Sequence, residues 1–255
     1  MLAFPDPSAS TRARPGATTT PRPCDAVALP STLKRWQPGG RGVRRTLEKG
    51  EGHGRSSVIG LLLAANGLVF LVQQLLPGPM LRYLALWPLG VAPETLPSGL
   101  PAGEFHLWQL LSYAFLHGSL FHLAINMFVL WMFGSPLERD WGSQRFARYY
   151  VLCVLGAGAA QLLVVSMSTG PFAPTVGASG GVYALLLAFG LRYPNQYILL
   201  LIPPIPMKAK YFVIVIGLVE LWLGIAGTRQ GVAHFAHLAG MLVGLALILS
   251  RHRRP

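Results

Sequence analysis

Six apolar runs fill the chain after residue 56, each bounded by charge, proline or glycine. They are Ser56–Leu76, about Gly118–Gly134, Tyr149–Met167, about Gly180–Leu191, about Tyr211–Gly227 and Val232–Ser250. A helix needs roughly 17–25 residues to cross the hydrocarbon core of a bilayer, so five runs qualify by length and the fourth is short. Only 12% of the 255 residues are charged and 52% are hydrophobic, whereas a soluble domain carries about 25% charged residues. This excludes a disordered chain and argues against a water-soluble enzyme. The two cysteines, Cys24 in a polar stretch and Cys153 in an apolar run, do not make a disulfide framework. The expected class is an all-α membrane protein.

The net charge of +12 raises the question of nucleic acid. The basic residues flank apolar runs and form no stripe with aromatics, so the membrane explains them and no nucleic-acid partner is expected. With the N-terminus inside, one side collects ten Lys and Arg from residues 1–56, then Arg139, Arg145, Arg148, Arg192, Lys208, Lys210, Arg251, Arg253 and Arg254. The other side holds Arg82 and Arg229. This asymmetry predicts six spans with both termini cytoplasmic. It also makes the short fourth run a real span, because omitting it would put the C-terminal arginines on the wrong side.

Residues 1–55 are rich in Pro, Gly, Ser, Thr and Arg and read as a disordered basic cytoplasmic tail. The six-span core is expected at 56–250, followed by a basic C-terminus at 251–255. No secretory signal is evident, although the acid-poor tail loosely resembles an organelle transit peptide. The outer loop, about Pro77–His117, is proline-rich yet carries Trp87, Phe105 and Trp108. It is expected to form an amphipathic hairpin in the outer leaflet, with its tryptophans at the interface.

Polar residues inside spans are costly and are functional candidates. Gly177-Ala178-Ser179-Gly180-Gly181 opens the fourth run and matches G-x-S-x-G, but the strand that a hydrolase elbow requires is absent. A run of about 12 residues is roughly 18 Å long as a helix. Anchored at the cytoplasmic face by Arg192, it starts inside the membrane. Ser179 then sits at a buried helix N-terminus, where free N–H groups and the dipole suit an oxyanion. The bland alternative is close packing through small residues.

His237 shares a helix face with Gly240 and Gly244, and His234 lies nearly on that face. Either histidine could be a general base, and spacing alone does not say which. His122 and Asn126, at i and i+4, form a donor pair that could hold an oxyanion or act as interhelical glue. There is no His-Glu-x-x-His motif, and Asp6, Asp25 and Asp140 are the only aspartates, none within a run. Zinc and aspartyl mechanisms are therefore disfavoured, no cofactor or metal is expected, and a Ser–His pair is expected to work without a carboxylate. Glu220 is the one acid inside a run. It is expected to snorkel or pair locally; a proton relay in a transporter is the alternative, weakened by the lack of an internal repeat.

Three separated motifs, Gly177-Ala178-Ser179-Gly180, Ala236-His237-Leu238-Ala239-Gly240 with Gly244, and His122-Leu123-Ala124-Ile125-Asn126, together resemble the rhomboid intramembrane serine proteases over about residues 56–250. The resemblance implies a six-transmembrane helical bundle of rhomboid type, with a short fourth helix starting inside the membrane. It implies Ser179 as nucleophile, His237 as base, and His122, Asn126 and the Ser179 N–H as oxyanion hole. Tyr183 would pack on the imidazole, and His234, Gly177, Gly180, Gly240 and Gly244 would support the site. The fifth span would be the mobile helix admitting substrate sideways. The implied activity is intramembrane serine endopeptidase, acting on single-span or multi-span membrane proteins in the lipid bilayer of a bacterial inner membrane. The alternative is a catalytically silent escort of membrane proteins. One departure stands out: Trp108-Gln109 replaces the Trp-Arg of many relatives, which removes a charged anchor and puts loop stability in doubt.

Overall fold

The computed structural model describes residues 57–90, 103–167, 174–199, 205–226 and 234–252. The expected tail at 1–55, the outer-loop prolines 93, 97 and 101, and residues 253–255 lie outside them. Six helices follow the apolar runs: α1 (Val58–Leu75), α4 (Leu120–Trp141), α5 (Ser143–Ser166), α6 (Ser179–Arg192), α7 (Ala209–Ile225) and α8 (His234–His252). Two short helices, α2 (Pro77–Leu84) and α3 (Gln109–Ser112), lie in the loop after α1, and a 3-10 turn follows at Tyr113–Phe115. α1, α4 and α5 are long and apolar enough to cross a membrane, while α6 and the His234–Ser250 part of α8 are apolar but shorter.

α4 continues past Gly134 to Trp141, and α5 already starts at Ser143. Gly142, with φ +81°, makes the break between them. The last turn of α4 therefore carries Glu138, whose carboxylate accepts from the Val58 and Ile59 amides at 2.7 and 3.1 Å. It also accepts from the Ser57 and Ser143 hydroxyls, both at 2.6 Å. An anion at the first turn of α1 satisfies amides that have no partner within the helix. Nearby, Asp140 and Arg192 form a two-point ion pair at 2.6 and 3.1 Å, tying the end of α6 to the end of α4.

α6 is central. It packs chiefly on α8 and is flanked by α4, α5 and α7. Gly180, Gly181, Ala184, Leu185, Ala188 and Phe189 are among its buried residues, so its small residues admit neighbours on several sides. Outward-facing apolar residues such as Leu68, Leu71, Leu218 and Trp222 are exposed, as expected where lipid is the solvent. The expectation of a purely helical chain needs one amendment. Tyr197–Leu199 and Pro206–Lys208, between α6 and α7, pair as antiparallel β1 and β2.

The loop between α1 and α4 is anchored by side-chain amides, where Gln109 had put its stability in doubt. That residue is fully buried. Its Nε2 donates to the Glu104 carbonyl at 2.9 Å and, more weakly, to that of Tyr83 at 3.4 Å. Its Oε1 accepts from the Trp87 amide at 3.2 Å. A neutral side chain with donors and an acceptor thus cross-links the loop without a charge. The tryptophans also divide differently from expectation: Trp87 is buried and Trp108 is exposed. Trp87 can enter the protein because its indole N–H finds the Leu81 carbonyl at 3.0 Å. Beyond this loop, Gln73 of α1 grips the His117 backbone from both sides: it donates to the carbonyl at 3.0 Å and accepts from the amide at 3.1 Å.

Candidate active site

The α6 helix begins at Ser179, with Ala178 as its N-cap. The Ser179 N–H therefore belongs to the first turn, where amides have no intrahelical acceptor. Gly177 just before it has φ +126°, a conformation that L side chains rarely adopt. A β-carbon at Gly177 would stand 3.0 Å from His122 Nε2 and 3.6 Å from Ser179 Oγ, so His122 and Ser179 flank this glycine. Its amide is tied to the Tyr113 carbonyl at 2.9 Å.

α8 lies against α6 because Gly240 leaves room for the Gly180 carbonyl, and Gly244 for the Tyr149 hydroxyl. One helical turn before Gly240, His237 reaches across with Nε2 2.7 Å from Ser179 Oγ. Tyr183, one turn after the serine, stacks on the His237 ring with centroids 4.3 Å apart and planes within 4°. The structure thus brings together Ser179, His237, Tyr183 and the four expected glycines, and it distinguishes the two histidines: His237 faces the serine, while His234 Nδ1 lies 2.7 Å from Glu220 Oε2.

His122 and Asn126, one turn apart on α4, line the same cavity of about 680 Å³ as Ser179, Glu220 and His237. The Gly118 amide donates to His122 Nδ1 in a long 3.4 Å contact. That leaves Nε2 as the protonated, donating nitrogen. Asn126 spends one N–H on the His122 carbonyl at 2.9 Å and keeps a second donor. Apolar side chains, among them Phe128, Met132 and Phe212, form most of the rest of the lining. His117, in the loop before α4, packs edge-on against His122 at 5.1 Å. Burial first, then the neighbouring His122, push its pKa down to about 4, with only a small opposing effect of the Phe115 carbonyl.

One residue has a place that spacing did not indicate. Glu220 of α7 is buried and meets three side chains of the site. Tyr183 donates its hydroxyl to Oε1, while Oε2 lies close to His234 Nδ1 and 3.0 Å from His237 Nδ1. A carboxylate thus stands beside the histidine pair where none was expected, and the acid is buried among partners on other helices instead of snorkelling. The signal was present as a single acid in an apolar run, but its partners lie on two other helices.

Glu220, His234 and His237 offer ligand atoms within 4.8 Å of one another. Around a single zinc, nitrogen and oxygen ligands would stand roughly 3.3 Å apart. The 2.7 Å separation between His234 and Glu220 is instead that of a charge-assisted hydrogen bond, so the cluster is a hydrogen-bonded hub around a carboxylate.

Residues 104–254 match the family model described as the Rhomboid domain. The mitochondrial presenilin-associated rhomboid-like protein of Mus musculus is 29% identical over 211 residues, which is 78% of this chain and 49% of that protein. The rhomboid protease GlpG of Serratia proteamaculans is 31% identical over 191 residues, 73% of this chain and 60% of that protein. The chain thus spans about half the length of the mitochondrial relative. With apolar helices of spanning length and a family match over more than half of its residues, the chain is an integral membrane protein that belongs to the rhomboid family.

Proposed function

We propose that the protein is an intramembrane serine endopeptidase that cleaves transmembrane segments of membrane proteins. The observation that carries this reading is the 2.7 Å approach of His237 Nε2 to Ser179 Oγ, at a helix N-terminus beside a cavity lined by apolar side chains and the donors of His122 and Asn126.

In this reading the chain crosses the membrane six times, with both termini cytoplasmic and α6 starting at membrane depth. The setting is a bacterial inner membrane. A substrate span bends into the cavity past α7 and frees one peptide carbonyl, which is hydrogen-bonded and shielded while helical. His237 takes the Ser179 proton as Oγ attacks. The oxyanion is met by His122 Nε2–H, the free Asn126 N–H and the Ser179 amide. His237 then gives its proton to the leaving amine, and water entering the cavity releases the acyl-enzyme. Tyr183, stacked on the imidazole, limits its rotation. His234, Gly177, Gly180, Gly240 and Gly244 hold the partners in register.

The test uses purified protein in liposomes with a single-span substrate carrying helix-breaking residues near its outer end, together with a fluorophosphonate serine probe. Cleavage and labelling are expected in wild type and absent in Ser179→Ala. Cleavage at wild-type rate in Ser179→Ala, or in His237→Ala, would refute the reading. Neither signal in well-folded wild type would favour the non-proteolytic escort.

A further inference from the structure

Three side chains converge on the two oxygens of Glu220, from three positions on two other helices. Tyr183 of α6 donates to Oε1. His234 of α8 lies 2.7 Å from Oε2, and His237, also of α8, approaches the same oxygen at 3.0 Å. An ionised carboxylate only accepts hydrogen bonds. His234 Nδ1, at hydrogen-bond distance, then carries its proton; an unprotonated His237 Nδ1 at 3.0 Å would set its lone pair against the carboxylate, so the proton on Nδ1 is favoured there too, which leaves the His237 Nε2 lone pair facing Ser179. That is the tautomer a general base needs.

We propose that Glu220 is the positioning carboxylate of a Ser179–His237–Glu220 triad, delivered to the site by α7. The proposal rests on the proteolytic reading given above. The proton leaves Ser179 Oγ for His237 Nε2 and later passes to the leaving amine; Nδ1 keeps its own proton throughout, and Glu220 stays ionised. Its work is to hold the tautomer and to stabilise the imidazolium while it exists. Tyr183 and His234 fix the plane of the carboxylate, so that Oε2 is already in place. At rest the His237 Nδ1 contact is close but off the axis of a well-formed hydrogen bond. Catalytic hydrogen bonds commonly align only once substrate is bound, and the positive charge formed on His237 strengthens this attraction at the moment it is needed. Glu220 touches neither the serine nor any reacting atom. The groups facing His237 are Ser179 and Tyr183 from α6, Glu220 from α7 and His234 from its own helix, with His122 of α4 lining the same cavity.

The experiment compares wild type, Ser179→Ala, Glu220→Gln and Glu220→Asp in liposomes, reading kcat and KM for the single-span substrate, the rate of fluorophosphonate labelling, and the thermal unfolding midpoint. Glu220→Gln is expected to lower kcat by about 10²-fold or more, with labelling falling in parallel and KM changing little. Glu220→Asp, which keeps the charge, is expected to recover part of the loss. A folded Glu220→Gln with kcat near wild type overturns the triad, as does a loss confined to KM or an Asp variant no better than Gln. A wild type that neither cleaves nor labels refutes the protease reading itself, a different result from an active wild type with an indifferent Glu220. Should Glu220→Gln not fold, wild-type protein labelled with 15N-histidine decides. A far-downfield Nδ1–H resonance that disappears in His237→Ala is expected; a His237 proton residing on Nε2 overturns the proposal.

Discussion

Gly240 of α8 lies directly against the carbonyl of Gly180 of α6, and the place of its missing β-carbon is occupied by that carbonyl oxygen. The contact sets the distance between the helices that carry Ser179 and His237. Gly240→Ala is expected to force the pair apart, at a stability cost of about 1–3 kcal/mol from overpacking. A shift of about 1 Å at the site costs on the order of 10²-fold in rate. Loss of cleavage at a temperature where the variant is still folded is the measurement; unchanged cleavage would show that the helices can relax around a methyl group.

In the proposed mechanism Asn126 is an oxyanion donor. Asn126→Ala is expected to reduce kcat by about 10²-fold or more while leaving KM nearly unchanged, because the bond is made to charge that exists only in the transition state. A rise in KM alone would move Asn126 from catalysis to substrate binding.

Gln109 cross-links the loop between α1 and α4. Gln109→Leu keeps the volume but strands the Trp87 amide and the Glu104 carbonyl, which it now satisfies. Each buried polar group left unpaired costs about 1–3 kcal/mol. The loop should become sensitive to protease in liposomes at a temperature where wild type resists. Equal resistance would mean that water replaces the amide.

Glu138 accepts from the first amides of α1 and from the hydroxyls of Ser57 and Ser143. Glu138→Gln removes the charge and turns one acceptor into a donor, with an expected loss of about 2–4 kcal/mol. The thermal midpoint in detergent reports it. A midpoint equal to wild type would show that solvent can cap α1 as well.

His117 is buried, and neither ring nitrogen has a well-formed hydrogen bond. Its pKa is lowered to about 4 from the usual 6.5, so the unfolded chain binds more protons between these values. Its contribution is complete above pH 6.5 and is lost as the pH falls towards 4. At about 1.4 kcal/mol per pKa unit the loss is at most about 3.5 kcal/mol. Subtracting the pH profile of His117→Phe from that of wild type should isolate this window. Parallel profiles would mean that the imidazole is solvated when charged.

Local patterning and tertiary packing contributed different parts of this structure. The apolar runs dictated where helices form, because hydrocarbon admits only segments that satisfy their own backbone. The spacing of His237, Gly240 and Gly244 placed a histidine beside a close helix contact before any coordinates, since residues three, four and seven apart share a helix face. Helix ends were less legible: α4 runs on through Glu138 and Asp140 because a helix can continue beyond its apolar stretch until a glycine breaks it. Spacing left open which histidine faces Ser179; the motif resemblance pointed to His237, and the packing brings that ring to the serine. What replaces a charged anchor at Gln109, and where Glu220 points, were decided by tertiary structure alone. Glu220 is separated from Tyr183 by 37 residues and from His234 by 14. No helical period links side chains on three different helices; only their packing fixes the few ångströms within which a carboxylate, two imidazoles and a phenol must meet.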